Sequence, residues 1–328
     1  MASVLTIILN WNCAKDTMEA IDSVMASETE PHGVDIFLVD NGSKDNSVEI
    51  LRKYFTQKNY DVVDIKNVED VKLEKKGTKK IFFYLSPKNL GFTGGNNLGF
   101  EFALKHGYEF VFLLNADAVV NKDTIKVLVE SFTDEKIACV GPKVYAYNIN
   151  GRKDYIVWAG TNLDLLLCKT KRRQGIDIGQ YEEIWESADV QGCSMMISSS
   201  ALKDVGKLDD ILFAYREETD WCMRARKKGY RCLYIPKAKA WHKGEGVPIT
   251  STPPYKFELN ARNLVIFAKK YGKIKIIAAI YLTIYYPIRL WCTVFQKTKN
   301  PHLAFSFSFA YVRGVKNGLM SFDRMLQL

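Results

Sequence analysis

Short apolar runs recur through the first third of the chain. They fall at residues 4–9, 35–39, 81–85 and 110–114, each bounded by turn-forming residues. Runs of this length without polar alternation predict strands buried on both faces, as in parallel sheets. Helical patterns lie between them. Asp16-Thr17-Met18-Glu19 predicts a capping signal ahead of residues 20–25. Asp45 precedes residues 47–55, in which Val48, Leu51 and Phe55 share a face. Residues 97–105 and 124–132 follow the same logic. The alternation predicts an α/β fold, a doubly wound sheet with helices on both faces. Ligands of such sheets bind at the carboxyl ends of the strands.

Beyond this region the pattern changes. Residues 57–80 are polar and charged and predict a surface excursion with no chemistry of its own. Between 141 and 180 periodicity weakens, and the basic, glycine-ended stretch 169–175 reads equally as a mobile flap or a solvated loop. Order returns at 188–198, at a helix over 219–228 and at a strand over 231–235. Residues 255–328 are helical, aromatic and basic. The predicted division is a main domain over 1–254, in two halves that meet at about 120, and a C-terminal extension over 255–328. In that extension, residues 276–288 are apolar but too short for a comfortable membrane span, and Pro287 should break a helix there. Flanking Tyr, Trp and Lys residues suit a helix lying in a membrane interface. Packing on the main domain or on another subunit of an oligomer is the alternative.

Composition narrows the partners. The net charge of +9 favours nucleotide diphosphates, acidic lipids or nucleic acid. The basic residues form no aromatic-interleaved stripe, which argues against nucleic acid. Seven scattered cysteines without a Cys-x-x-Cys pair predict neither a disulfide framework nor a zinc site, and fit a reducing cytosol. Residues 4–9 lack a basic leader and read as a first strand.

Five places could carry chemistry. Asp40 ends the second strand, where a carboxylate can accept from a nucleobase or ribose, or simply cap the turn. Gly91-Phe92-Thr93-Gly94-Gly95-Asn96-Asn97 reads as a glycine-rich loop opening a helix, suited to phosphate but matching no nucleotide fingerprint. Asp117 follows a core strand and is a hard oxygen ligand for Mg2+ or Mn2+. Glu217, Glu218 and Asp220 open a helix whose dipole should keep them ionised, so that one can serve as a general base. His242 could complete a metal site with Asp117.

In order, LTIILNWN, FLVDNGSKDNS, NLGFTGGNNLG, LLNADAVV, VGPKVY, GQYEE, DVQGCSMMI, FAYREETDWCMRARKKGY and AKAWHKG resemble the inverting GT-A-fold glycosyltransferases of family two, in the rhamnosyltransferase-like branch, over residues 4–271. The resemblance implies a sugar transfer from a dTDP- or UDP-linked donor to a glycan or polyprenyl-linked glycan, in cell-surface polysaccharide or glycoconjugate assembly. It implies that Asp40 contacts the base with Asn10 and Trp11 nearby, and that Gly91, Asn96 and Asn97 cradle ribose and diphosphate. Asp117 matches the last position of a D-x-D motif, and Asn115 stands where relatives carry the first Asp. Gly192, Cys193 and Ser194, with Asp220, fall where the family lines the sugar and acceptor pocket. Glu218 stands where relatives have the catalytic Asp of an E-D pair, with Glu217 as the other possible base. The family also implies Mn2+ or Mg2+ on Asp117 and His242, and a cytoplasmic enzyme peripheral on the membrane's inner face. Rival readings are a sugar-phosphate nucleotidylyltransferase, for which Leu9-Asn10-Trp11-Asn12 lacks the needed glycines, and a non-catalytic nucleotide-sugar-binding or scaffold protein.

Overall fold

The computed structural model describes residues 2–68, 71, 73, 75–149, 151–244, 253–272 and 281–325. The chain forms two units. The first comprises Met1–Thr161, Arg172–Phe213 and Glu217–Glu245, and the second Asn162–Lys171, Ala214–Arg216 and Gly246–Leu328.

Strands follow the chain as β1 (Ser3–Asn10), β2 (Gly33–Asp40), β3 (Val62–Ile65), β4 (Ile81–Leu85), β5 (Phe110–Asn115), β6 (Ala118–Val120), β7 (Ile137–Ala146) and β8 (Tyr155–Trp158). There follow β9 (Thr161–Asp164), β10 (Lys169–Arg172), β11 (Gly175–Ile176), β12 (Trp185–Glu186), β13 (Ser194–Ser198) and β14 (Arg231–His242). The main sheet has the order β11-β8-β7-β13-β5-β1-β2-β4-β3, with β14 beside β7 and carrying β6 and β12. Strands β5, β1, β2, β4 and β3 run parallel. β13 enters antiparallel between β5 and β7, so the sheet is mixed. Helices of this unit are α1 (Ala14–Met25), α2 (Ser47–Lys58), α3 (Gly91–His106), α4 (Thr124–Glu130), α5 (Ser199–Val205) and α6 (Glu217–Lys227).

Both faces of the sheet are covered, which explains the unbroken apolar runs. On one face Leu5, Ile7, Phe37 and Val39 join a core with Phe100 and Phe102 of α3. On the other, Val4, Ile8, Ile36 and Leu38 join Ile21 of α1 and Leu51 of α2. Alternate residues of one strand thus feed two cores.

The glycine-rich segment corrects an expectation. It is no loop before a helix at 97: it is the first turns of α3 itself. A Cβ on Gly99 would lie 2.4 Å from Ile7 Cδ1, and one on Gly95 would lie 2.9 Å from a Leu9 methyl. Each glycine costs a helix roughly 0.5–1 kcal/mol relative to Ala. Here they let α3 lie directly on β1, and the buried apolar contact offsets that cost.

Other expectations also shift. The excursion at 57–80 contains the edge strand β3, beside β4. Helix α1 starts at Ala14 with no side-chain cap, and Asp16 lies within its first turn. Asp45 does serve α2, accepting from the Ser47 N–H at 3.0 Å. The weakly patterned region after 141 holds the long strand β7, buried throughout. Strand β14 runs past Pro236 to His242 by shifting register. The basic stretch at 169–175 is largely strand, and the Arg173 guanidinium stacks over Tyr181 at 4.5 Å and Trp185 at 4.6 Å.

The second unit contains β9–β10 pairing over 162–171 and helices α7 (Pro254–Tyr271), α8 (Tyr286–Thr298) and α9 (Pro301–Met325). Of the apolar stretch 276–288, residues 276–280 lie outside the described residues, as does Lys273. Pro287 sits in the first turn of α8, directly after a π-helical turn over Tyr281–Tyr285, so the helical path changes its winding at the proline. Among the described residues, no helix is long and apolar enough to cross a membrane.

Gly99→Ala should lower stability by about 1–3 kcal/mol in urea unfolding, through overpacking. Ile7→Val removes the methyl that the new Cβ meets, so the double variant should be less destabilised than the sum of the singles. Strict additivity would show that the contact does not set the helix position.

Candidate active site

The strand ends deliver the candidate residues to one edge of the first unit. Asn10 lies in register with Asp40, and Leu9 with Asn115. His242, ending β14, pairs with Ala118 of β6. The Asn115 N–H donates to the Cys193 carbonyl at 3.0 Å, which joins the segment before β13 to the same edge.

Asp40 is 3% exposed. One oxygen accepts from Asn10 Nδ2 at 2.7 Å and Ser43 Oγ at 2.6 Å, and the other from the Ser43 N–H at 3.0 Å. It therefore caps its turn, and little of its acceptor capacity remains for a ligand. Asn10 is fully buried and also accepts from Thr17 Oγ1 at 2.8 Å, so it orients Asp40 and does not face solvent. Trp11 is 46% exposed beside it, free to offer a ring face.

Asn41, which the sequence did not single out, ties this turn to the glycine segment. Its Nδ2 donates to the Gly91 carbonyl at 3.0 Å, and its Oδ1 accepts from the Leu90 N–H at 2.9 Å. Gly91 has φ +73°, and a Cβ there would strike the Phe213 carbonyl. Asn96 is 1% exposed and donates to the Phe92 carbonyl at 2.8 Å. Asn97 donates to Asp210 Oδ1 at 2.8 Å and the Leu208 carbonyl at 3.0 Å. These two amides are engaged within the fold, so of the expected cradle the open elements are backbone and Trp11.

Asp117 and His242 lie 125 residues apart in sequence and meet at 3.1 Å, His242 Nε2 to Asp117 Oδ1. Asn115 Nδ2 approaches the same ring nitrogen at 3.4 Å. Burial opposes ionisation of Asp117, yet His242 and Lys243 hold its carboxyl below the usual range. A Cβ on Gly244 would lie 2.8 Å from Asp117 Oδ2, so the missing side chain keeps that oxygen uncovered. One carboxylate, one imidazole and an amide are a mixed hard donor set compatible with Mn2+ or Mg2+. They are too few to enclose it, so remaining positions would fall to a bound diphosphate or water.

Across the segment 191–194, Gly192 would place a Cβ 3.6 Å from Glu218 Cβ and 3.4 Å from the Phe92 ring. Its missing side chain leaves space beside Glu218. Cys193 and Ser194 are buried, and among the described residues Ser194 Oγ has no hydrogen-bond partner.

The amino end of α6 overturns one expectation. Glu217 is fully enclosed, and burial, with the neighbouring charge of Glu218, raises its carboxyl well above the usual range. Its Oε2 has no hydrogen-bond partner among the described residues. Desolvation outweighs the helix dipole here, so Glu217 favours its neutral form more than an exposed carboxyl does, while Glu218 is half-buried. Thr219 Oγ1 donates to Asp189 Oδ2 at 2.8 Å, Arg224 pairs with Asp220 at 3.0 Å, and Trp221 Nε1 donates to the Gly206 carbonyl at 2.8 Å. Asp220 thus braces the helix through this ion pair. Asp189 was missed because nothing local marks it; only the tertiary contact with Thr219 does.

The cysteine spacing concealed one cluster. Cys139, Cys222 and Cys232 come from β7, α6 and β14, with sulfurs within 4.8 Å of one another. All three are buried in the core as small apolar fillers.

Residues 5–206 match the model for glycosyl transferase family 2, and the chain belongs to that family. The low-salt glycan biosynthesis hexosyltransferase Agl10 of Haloferax volcanii is 26% identical over 257 residues, 75% of this chain and 79% of that protein. The dTDP-rhamnosyl transferase RfbF of Shigella flexneri is 22% identical over 64% of this chain and 70% of its own length. The chain also matches poly-beta-1,6-N-acetyl-D-glucosamine synthase of Staphylococcus aureus at 26% identity, over 72% of this chain but spanning only 49% of that protein. Among solved structures, GalNAc-T7 with UDP, GalNAc and Mn2+ aligns at TM-score 0.59 and 16% identity, over all of this chain and 57% of that one. The mannosyltransferase PcManGT of Pyrobaculum calidifontis, in complex with GDP-Man and Mn2+, aligns at 0.56 and 14% identity, over 97% and 87% of the two chains. These likenesses establish the GT-A fold.

Glu217→Gln should change the pH dependence of stability. A carboxyl with a raised folded pKa contributes stability below its unfolded value, near 4.5, that is lost as pH rises through the folded value. The Gln variant lacks that loss. Its Tm should thus match the wild type near pH 4 and exceed it increasingly above; a constant offset would show that Glu217 ionises normally.

Proposed function

We propose that the protein is an inverting glycosyltransferase that moves a sugar, with rhamnose the favoured choice, from a dTDP- or UDP-linked donor to a hydroxyl of a glycan or lipid-linked glycan. The observation that carries this is the Asp117–His242 pair at the sheet edge, joined through Asn115 and residues 192–193 to Glu218. Family membership supports the reaction class. The rhamnosyl choice leans on the likeness to RfbF, and the glycan acceptor on the likeness to Agl10.

In this reading Trp11 receives the nucleoside, beside the turn that Asp40 holds in place. Asp117, His242 and Asn115 hold a divalent cation. The cation, when bound, supplies positive charge for the departing diphosphate. Glu218 takes the proton of the acceptor hydroxyl. The acceptor oxygen bonds to the anomeric carbon from the face opposite the diphosphate, whose bond to that carbon breaks, and the configuration inverts. Glu217, whose carboxyl burial and the neighbouring Glu218 push well above the usual range, is the weaker base of the pair.

The second unit supports a peripheral place on the cytoplasmic face of the membrane. Phe305, Phe309, Val312 and Leu319 follow one face of α9 and are exposed, as are Ile284 and Ile288 ahead of it. Lys297 and Lys299 lie in and beside the last turn of α8. An apolar stripe with nearby cations matches an anionic bilayer surface.

Glu218→Gln should lower transfer by roughly 10²–10⁴-fold while nucleotide binding persists. Asp117→Ala should remove the metal dependence of donor hydrolysis. Activity retained in Glu218→Gln would move the base elsewhere. Phe305→Asp with Phe309→Asp should reduce co-sedimentation with phosphatidylglycerol vesicles, and unchanged sedimentation would sink the membrane placement.

A further inference from the structure

Three thiols of the first unit converge in its core. Cys139 of β7, Cys222 of α6 and Cys232 of β14 are fully buried, form no disulfide, and hold their sulfurs within 4.8 Å of one another. Cys139 Sγ and Cys222 Sγ are 3.8 Å apart. The sheet brings two of the three side by side, since Cys232 is the register partner of Cys139. That pairing depends on an irregularity. Ala138 is an extra residue of β7 between the Arg231–Ile137 and Cys232–Cys139 pairs. A bulge of this kind re-aims a side chain, and in unbroken register Cys232 would face Ala138. Cys222 closes the triangle from α6. The thiols fill core space, but filling asks only for apolar volume and not for three sulfurs around one point.

The triangle has the size of a three-coordinate site. An ion bonded to three sulfurs at about 2.3 Å, in their plane, sets them about 4.0 Å apart, and closer when it rises out of the plane. Charge then selects the ion. Burial pushes the Cys139 and Cys222 thiols up, while hydrogen bonds from both lower Cys232, so the trio carries at most one negative charge. Arg226 and Asp189 act on Cys232 with opposite signs. Zn2+ on three thiolates would leave a net negative charge in the core and a fourth position to fill. Among the described residues, no fourth His, Cys, Asp or Glu joins the group. A trivalent ion cancels three thiolates, and a neutral group is the one a dry core accepts.

We infer that Cys139, Cys222 and Cys232 form a binding site for a soft trivalent metalloid, As(III) delivered as arsenous acid, which ties α6 to β7 and β14. Arsenous acid condenses with thiols without any change of oxidation state. Three As–O bonds break and three As–S bonds form, and each hydroxyl leaves as water with one thiol proton. Where Cys232 enters as its thiolate, solvent supplies the third proton. Cys222 lies four residues beyond Glu218, one turn along α6, so the bound ion braces the helix that carries the proposed base. The site does not depend on the sugar-transfer reading.

Native mass spectrometry of the full chain with arsenite counts the bonds, in a phosphine reductant that adds no competing thiol. Three As–S bonds add one arsenic and remove three hydrogens, whereas two bonds leave a hydroxyl on arsenic. The wild type should take up one arsenic with loss of three hydrogens, slowly, because the closed core must open locally. Amide exchange along α6 should slow in the bound form. Cys139→Ala and Cys222→Ala should each weaken uptake by more than the roughly tenfold that outer-shell changes cost metal sites. Any arsenic they hold should keep a hydroxyl, and either variant suffices where the other fails to fold. Cys292→Ala, which removes an exposed thiol of the second unit, should behave as the wild type. The site is overturned by a wild type that binds no arsenic or keeps a hydroxyl on it, or by uptake unchanged in the Cys139 and Cys222 variants. Zn2+ binding as tightly as arsenite would overturn the choice of ion, and unchanged amide exchange the bracing of α6.

Discussion

The close seating of α3 on β1 is the contact on which the site depends. Gly95 and Gly99 bring the helix backbone onto the side chains of Leu9 and Ile7. That fixes where the helix begins, beside the carboxyl ends of β1 and β2. Asn41 bridges to Gly91 across that short gap, and the Phe213 carbonyl meets the start of the helix through the Thr93 N–H at 3.1 Å. A side chain on either of the two central glycines would push the helix outward. The turn bearing Asp40 would then lose its partner.

Electrostatics divides the work among carboxyl groups that look alike in sequence. Asp40 is held by three donors and serves its turn. Asp117 stays ionised because His242 and Lys243 outweigh its burial. Glu217 goes the other way, raised by burial and by the neighbouring charge of Glu218. Asp220 is spent on Arg224. What separates them is access to water and to a compensating charge, and neither is a property of residue type.

The architecture was largely legible in the chain. Apolar runs of strand length separated by helical patterns require a sheet covered on both faces, and the two cores built from alternate residues of β1 and β2 are that requirement met. Two of the strands that escaped, β7 and the far part of β14, lie where polar and aromatic residues interrupt the pattern; their burial comes from neighbours supplied by distant segments. The glycine-rich stretch was misread because glycine signals a loop locally, whereas here it answers a packing demand from β1.

For the site, the sequence determined which residue types stand at strand ends and helix starts, because chain order and period 2 or 3.6 patterns are local properties. It thereby determined the family and placed Asp117, His242 and the Glu217-Glu218 pair as candidates. Only the tertiary structure decided that Asp117 and His242 meet across 125 residues, and that Asn10, Asn96 and Asn97 turn inward. It alone decided that burial raises the Glu217 carboxyl while Glu218 stays half-buried. Such outcomes depend on distances and desolvation between segments remote in sequence, and no local pattern encodes them.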